Sequence, residues 1–243
     1  MYHKDSPHSI RSMFDSIAPN YDFANSVLSF SLHRRWKQAL ARHLLPSTAS
    51  PTVFVDLCAG TGDITFEYLR LANAVCHAHL IDFSPQMLYQ AKQKASHLGF
   101  PHAHHLSYFE ADVHQLPLSE NMADSAAMAY GIRNVHSPDH CMQEVFRVLK
   151  PNGHVGILEL TRPPNPFLRL GHRFYLRTFI PCVGKWLTRN AQAYEYLCQS
   201  IQTFIEPEAI EAVLKSVGFA SIQRRPLAGG IATLFIGHKP PHS

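Results

Sequence analysis

Three carboxylates in the first half of the chain, Asp56, Asp82 and Asp112, stand where a strand is expected to give way to a loop. Acids so placed can accept hydrogen bonds from ligand hydroxyls or face a bound cation. Asp56 lies in Val53-Phe54-Val55-Asp56-Leu57-Cys58-Ala59-Gly60-Thr61-Gly62-Asp63, a β-branched apolar run that meets a Gly-x-Gly turn. Gly60 and Gly62 let the backbone turn sharply and approach a ligand closely. A helix from about Ile64 to Leu71 then points its N-terminus at that ligand. A dinucleotide site asks for G-x-G-x-x-G. Here Thr65 takes the third glycine's place, and Asp63 sets a negative charge where a pyrophosphate would lie. S-adenosylmethionine (SAM) has no phosphate and carries a sulfonium and an ammonium, so acids at Asp56 and Asp63 suit it better. A plain structural turn explains a lone Gly-x-Gly equally well. The next strand, Val75 to Asp82, ends in an acid about 20 residues past the loop, the spacing of a ribose-binding carboxylate. Ser84-Pro85 then opens a helix, with serine as the cap and proline in the first turn.

These residues need a scaffold that brings several strand ends together. Upstream, His8 to Ile17 has helical periodicity, and Pro19-Asn20-Tyr21-Asp22 breaks it. A second helix from about His33 carries Trp36, Leu40 and Leu44 on one face. Downstream, a helix from Pro85 to His97 is followed by a strand from Leu106 to Ala111, with Asp112 at its end. A fourth strand, Ala123 to Tyr130, precedes Gly131-Ile132-Arg133-Asn134. An amphipathic helix from Pro138 to Leu149 turns at Pro151-Asn152-Gly153 into a fifth strand, Val155 to Leu160. A helix from Glu206 to Ser216 and strands near Ile222 and at Ile231 to Ile236 complete the chain. Strands alternating with helices in this way predict an α/β fold with a doubly wound, mostly parallel sheet. In such sheets ligands sit beyond the carboxyl ends of the strands, where Asp56, Asp82, Asp112 and Arg133 all fall. We expect one domain: a helical lid (1–50), the core (51–160), a basic and aromatic insert (161–205), and a closing helix and strands (206–243).

Composition narrows the classes. With 243 residues, 46% hydrophobic and 16% charged, the chain can bury a full core. A net charge of +4 does not argue for nucleic acid. Met1 to Ser9 lacks the apolar stretch of a signal peptide. No uncharged apolar run reaches the ~18 residues of a membrane span. The five cysteines contain no C-x-x-C pair and read as free thiols of a cytoplasmic protein. The 17 histidines include His102, His104 and His105 together and His77 and His79 on one strand face. None has a metal-binding context, and no metal is expected.

The stretch from Arg162 to Arg189 departs from the alternation. It holds Arg162, Arg169, Arg173, Arg177, Lys185 and Arg189 with no acid, interleaved with Phe167, Leu168, Phe174, Tyr175, Phe179, Ile180 and Trp186. Such a mixture suits peripheral contact with an anionic membrane. The competing reading is a helix pair packed into the core or into a homodimer. Pro163, Pro164, Pro166 and Pro181 divide the stretch into short pieces.

Taken together, the motifs resemble the class I SAM-dependent C-methyltransferases of menaquinone and ubiquinone biosynthesis. The first family signature is similar to Tyr21-Asp22-Phe23-Ala24-Asn25-Ser26-Val27-Leu28-Ser29 followed by His33-Arg34-Arg35-Trp36. The second is similar to Arg147-Val148-Leu149-Lys150-Pro151-Asn152-Gly153 running to Glu159. Asp56 to Thr65 and Gly131-Ile132-Arg133-Asn134-Val135 also match, and the likeness runs from about Met13 to Lys239. Ala24 and Asn152 depart from the usual methionine and glycine, and Ala129 replaces a SAM-contacting serine of many members. The resemblance implies a seven-stranded Rossmann-like sheet, SAM as cofactor and a prenylated quinol as acceptor. It puts SAM contacts at Thr61, Asp82, Asp112 and Val113, beside the loop residues Asp56, Gly60 and Gly62.

The implied reaction is methylation of a ring carbon, most simply demethylmenaquinol to menaquinol, with the ubiquinone-pathway methylation as the alternative. A phenol of pKa ~10 is ionised in only about one molecule in a thousand at pH 7. A positioned base, or a cation that holds the phenolate, is therefore useful. The candidates are Tyr21, Asp22 and His33 from the lid, and Arg133 and Asn134 after the fourth strand. Glu159 either contacts substrate or pairs with Arg162. A SAM-binding module without activity, or a methyltransferase with a soluble acceptor, are the rival readings.

Overall fold

A computed structural model of the chain describes residues 6–46, 50–99, 104–180, 191–204 and 206–241. His102, Pro181, Cys182, Lys185, Trp186 and Arg189 lie outside the described residues.

The apolar runs read as strands form one seven-stranded sheet: β1 (Thr52–Leu57), β2 (Cys76–Asp82), β3 (His105–Glu110), β4 (Ala123–Ala129), β5 (Leu149–Leu160), β6 (Ala220–Leu227) and β7 (Ala232–His238). Their order is β3-β2-β1-β4-β5-β7-β6. The first five are parallel and β7 runs antiparallel to both its neighbours. Chain order reverses between β1 and β4, so a crevice opens beyond their carboxyl ends. The turn at residues 150–153 bulges out within β5, because Leu149 pairs with Ala123 while His154 pairs with Ser125.

Central strands of a parallel sheet are covered on both faces and are apolar on both. Successive residues of β1 accordingly join different clusters. Val55 and Leu57 pack with Cys141, Met142 and Val145 of α6 (Pro138–Val148) and with Ile210 and Leu214 of α9 (Pro207–Val217). Phe54 points the other way, to α3 (Leu32–Leu44) and α4 (Asp63–Leu71), and stacks on Tyr68 with ring centroids 4.1 Å apart. Helix α5 (Pro85–Leu98) covers β2 through Leu88 and Ala91 against Leu80. Its cap is as expected: the Ser84 hydroxyl accepts from the Met87 N–H at 3.1 Å.

The N-terminal segment divides differently from the expected lid. Trp36, Leu40, Ala41 and Leu44 of α3 are buried on the sheet, so this helix belongs to the core layer. Pro19-Asn20 breaks the first helix only into a short 3-10 turn, Ala18–Asn20, and α2 (Tyr21–Leu28) starts at once. Proline is at home in a first turn, and Asp22 lies in the first turn of α2, where a carboxylate complements the helix dipole. The cover over the strand ends is built from α1 (Pro7–Ile17) and α2, joined by α7 (Pro166–Phe174) and α8 (Ala191–Thr203). Ile10 and Met13 of α1 pack with Ala193 and Tyr196 of α8. Ala24 and Leu28 of α2 pack with Leu176, Ile180, Cys198 and Ile201. The insert thus supplies half of the roof.

Candidate active site

Two cavities lie beneath this roof. The first, about 810 Å³ to its open mouth, is formed beyond β1, β2 and β4 and includes Gly60, Asp82, Asp112, Val113 and Asn134. The second, about 980 Å³, is walled by α2, α3, α7 and α8 and is mostly apolar, with Leu28, Trp36, Leu176 and Ile201 among its residues. Tyr21 and Tyr130 line both cavities, so the two spaces meet at these rings.

The local backbone explains the meeting point. Cys58 and Tyr130, at the ends of β1 and β4, are both left-handed, with φ of 51° and 59°. Non-glycine residues are held this way only where the surroundings demand it, and such strain gathers at functional sites. A Cβ on Gly131 would lie 2.7 Å from Cys58 Cβ, so no larger residue fits between the two turns. Gly62 (φ 80°) is equally constrained, because a Cβ there would sit 2.7 Å from the Phe66 ring.

Asp82 takes hydrogen bonds from Gly60 N–H and Ser84 N–H, each at 2.8 Å. Burial raises its carboxyl to about 6. Asp112 stays largely exposed and accepts from the His114 N–H at 2.9 Å and from Nδ1 at 2.6 Å. Val113 closes the cavity as apolar wall.

Three expectations from the loop need correction. Asp56 reaches neither cavity: its Oδ2 accepts from Thr65 N–H (3.1 Å) and Oγ1–H (2.7 Å), tying β1 to the start of α4. Burial lifts that carboxyl to about 7. Asp63 is not free to face a ligand cation either. It pairs with Lys37 at 2.6 Å and with Lys94, and although burial alone would raise its pKa, the two lysines drive it well below the carboxylate range. Thr61 is buried, lines neither cavity, and donates its hydroxyl to Asp22 at 2.6 Å.

Asp22 itself faces away from the two cavities. Its second oxygen takes Lys94 Nζ at 2.6 Å, so it clasps α2 to the Gly-x-Gly loop and to α5. His33 does line the apolar cavity, buried, with Nδ1 2.6 Å from Ser29 Oγ. Burial, aided by Lys37, lowers it to about 4 and keeps the ring neutral. Arg133 enters the same cavity beside Glu159. Its Nη1 donates to Glu159 Oε1 at 2.5 Å, with the two side chains 7% and 0% exposed. Burial opposes the Arg133 charge, and Glu159 outweighs it, so the guanidinium remains charged. Arg133 Nε is buried without a partner among the described residues. Asn134 instead lines the first cavity, and its Oδ1 accepts from the Tyr196 hydroxyl at 3.0 Å. Arg162, the other partner considered for Glu159, pairs with Glu206 on the surface.

The sequence matches the ubiE/COQ5 methyltransferase family over residues 2–239. The chain belongs to this family. It is 52% identical over 240 residues to the demethylmenaquinone methyltransferase of Protochlamydia amoebophila, covering 98% of each chain. It is 41% identical over 237 residues to that of Chlamydia trachomatis serovar L2, covering 97% of this chain and 98% of the relative. Solved structures with the same fold include a SAM-dependent methyltransferase from Aquifex aeolicus (TM-score 0.58, 14% identity, 83% of this chain and 88% of that one). Another is a putative S-adenosyl-L-methionine-dependent methyltransferase from Methanococcus maripaludis (TM-score 0.62, 17% identity, 94% of each). The fold is therefore that of the class I SAM methyltransferases.

As a family member, the chain carries site features that its motifs did not disclose. Tyr130 stands between the cavities because of a left-handed backbone that no sequence pattern announced. Lys94, on α5, closes the Asp22–Asp63 network. Among the described residues no group of three or more His, Cys, Asp or Glu could hold a metal. No described helix is long and apolar enough to cross a membrane.

Proposed function

We propose that this methyltransferase moves the methyl group of SAM to a ring carbon of a prenylated hydroquinone, as in conversion of demethylmenaquinol to menaquinol. The observation that carries the reading is the shared wall of Tyr21 and Tyr130 between a cofactor-sized cavity and an apolar cavity lined by Arg133, whose charge is paired with the buried Glu159. The names of the relatives at 52% and 41% identity support the same acceptor.

The residues present fit SAM. The Asp82 carboxylate, buried and facing the first cavity, can accept from ribose hydroxyls, and Gly60 brings backbone close beside it. Phe83, Met87 and Val113 provide apolar walls for a flat base. The faces of Tyr21 and Tyr130 suit a cation at the junction. When bound, SAM supplies an electrophilic methyl group on a positive sulfur.

The apolar cavity does the rest. It excludes water and holds the quinol ring where it meets the first cavity, at the ~3–3.5 Å needed for transfer. Arg133, charged and with an unpartnered Nε, stabilises the oxygen of the acceptor as negative charge builds on it. Glu159 holds the guanidinium in place. His33, neutral, accepts the hydroxyl proton, and Tyr21 orients the ring. Asn134 supports the cofactor side, while Asp22 and Thr61 fasten the roof above the loop.

A prenylated quinol resides in a bilayer, and the surface beside the cavity suits contact with one. Phe167, Leu170 and Phe174 of α7 are 85%, 67% and 67% exposed and follow one helical face. The opposite side of that segment, through His172, Tyr175 and Leu176, lines the acceptor cavity. Arg169 is engaged with the Pro163 and Pro164 carbonyls, so insertion of apolar side chains rather than that charge dominates.

The decisive assay incubates the purified protein with SAM and either demethylmenaquinol or the ubiquinone-pathway quinol in mixed micelles. Mass spectrometry should find one added methyl on the first. Methylation of the second alone moves the enzyme to the other pathway. No methylated quinol in either arm, with SAM bound, refutes the reading. Liposome flotation tests the surface: changing Phe167, Leu170 and Phe174 to serine should release the protein from anionic vesicles. Equal flotation of both forms, or of neither, removes α7 from membrane contact.

A further inference from the structure

Ser29 sits at the end of α2, its side chain between two groups 2.6 Å away on either side. One is the main-chain carbonyl oxygen of Asn25, and the other is Nδ1 of His33. A carbonyl oxygen only accepts, so the Ser29 hydroxyl must donate its one proton there. Were it turned toward His33 instead, two lone-pair oxygens would face each other at 2.6 Å. Ser29 Oγ therefore accepts from His33, and the imidazole proton lies on Nδ1. The other ring nitrogen, Nε2, carries the lone pair. His33 lines the apolar cavity beside Tyr21, Tyr130 and Arg133, and no described residue hydrogen-bonds its Nε2.

From this geometry we infer that Ser29 is a positioning residue that fixes the His33 tautomer and presents Nε2 as the acceptor of the quinol hydroxyl proton. The chain of donors runs from His33 Nδ1–H to Ser29 and from Ser29 O–H to the Asn25 carbonyl, so the ring cannot flip tautomer without breaking both bonds. The inference rests on the quinol reading above and adds the device that makes its base competent. In the step, the hydroxyl O–H bond breaks and Nε2–H forms; the electron pair left on oxygen is delivered through the ring to the carbon, which bonds the methyl as the methyl–sulfur bond of SAM breaks and its electron pair stays on the departing neutral thioether. The methylated ring is then a dienone. It loses its ring C–H proton to solvent as the imidazolium returns its own to oxygen, restoring the hydroquinone and the neutral His33. One proton is released overall.

A base of low pKa is adequate for this work, because the hydroxyl becomes far more acidic as the ring carbon bonds to the incoming methyl. Burial lowers His33 to about 4, which keeps Nε2 unprotonated at neutral pH. The charges around it are Lys37 and Arg34 on its own helix and Asp22 and Asp63 opposite, with Arg133 and the neutral-leaning His172 in the same cavity. Among the described residues, Ser29 and none of these charged groups hydrogen-bonds Nδ1.

The test compares wild type, Ser29→Ala and Ser29→Thr. Nitrogen NMR of histidine-labelled protein, with the His33 signals assigned by difference from His33→Gln, reads the tautomer without substrate. Wild type and Ser29→Thr should show Nδ1–H, and Ser29→Ala should relax to Nε2–H. With SAM and demethylmenaquinol, kcat of Ser29→Ala should fall by about 10²-fold with SAM affinity unchanged, and Ser29→Thr should recover most of it. An Nε2–H tautomer in wild type overturns the inference. So does a tautomer switch in Ser29→Ala with kcat unchanged. If wild type methylates no quinol at all, the functional reading fails, while the NMR result still decides the tautomer.

Discussion

Replacing Glu159 by leucine leaves the Arg133 guanidinium buried without its counter-charge. Glu159 is fully buried and Arg133 is 7% exposed in its side chain, so water cannot rescue either partner. Breaking such a pair costs about 3–5 kcal/mol. The Leu160 N–H, 2.8 Å from Glu159 Oε1, loses its acceptor as well. With a urea dependence of roughly 3 kcal/mol per molar, the unfolding midpoint should fall by about 1–1.7 M. The double variant, Arg133→Leu with Glu159→Leu, removes both charges and replaces them with apolar bulk. Such replacements are often neutral or stabilising, so most of the lost stability should return. Activity should not return with it, because the cavity then has no cation for the acceptor oxygen. Fold and function are thereby separated in one cycle. Urea unfolding followed by fluorescence gives the stabilities, and quinol turnover gives the chemistry. A double variant that regains both stability and turnover would refute Arg133 as the acceptor-side cation. A Glu159→Leu variant within about 0.5 kcal/mol of wild type would refute the buried pair itself.

His33 has a folded pKa of about 4 against 6.5 in the unfolded chain, so on acidification the unfolded state takes up the proton first. Its contribution is present above pH 6.5 and is lost between about 6.5 and 4, reaching about 3 kcal/mol. His33→Gln should be less acid-sensitive than wild type over that window, and parallel pH–stability curves would contradict the burial. Asp82 is shifted the other way, to about 6, and must lose its proton to accept ribose hydroxyls. SAM affinity by calorimetry should therefore weaken about tenfold per pH unit below about 6. Asp82→Ala should bind SAM about 10–100-fold more weakly at pH 7, and an unchanged dissociation constant would remove Asp82 from the site. Gly131→Ala forces a Cβ to 2.7 Å from Cys58 Cβ and should cost about 1–3 kcal/mol. A melting temperature equal to wild type would mean that the two strand ends separate freely.

How much of this was legible before the structure depends on which physical signal each residue carried. The parallel core announced itself because buried strands are apolar runs and each is punctuated by turn chemistry: Gly60 and Gly62 after β1, Ser84-Pro85 after β2, Pro138 before α6. The place of Asp82 at the end of β2, beside the first loop, was readable from spacing alone, since a fixed βαβ geometry fixes how far the second strand end lies from that loop. Asp56 and Asp63 misled for a related reason. Their positions placed them at the loop, but charge type cannot say whether a carboxylate faces outward to a ligand or inward to its own helix. Asp56 turned to Thr65, and Asp63 was neutralised by Lys37 and by Lys94, which lie 26 and 31 residues away in sequence. The same long-range pairing hid the partner of Glu159: Arg162 was near in sequence, yet Arg133 arrived beside it because Gly131-Ile132-Arg133-Asn134 folds back in a 3-10 turn at the end of β4. Tyr130 was hidden more deeply. Its role follows from a backbone angle, and that angle follows from the packing of Gly131 against Cys58 across two strands. Local patterns place the elements, whereas the charges and rings that meet between elements are assigned only when packing has chosen their partners.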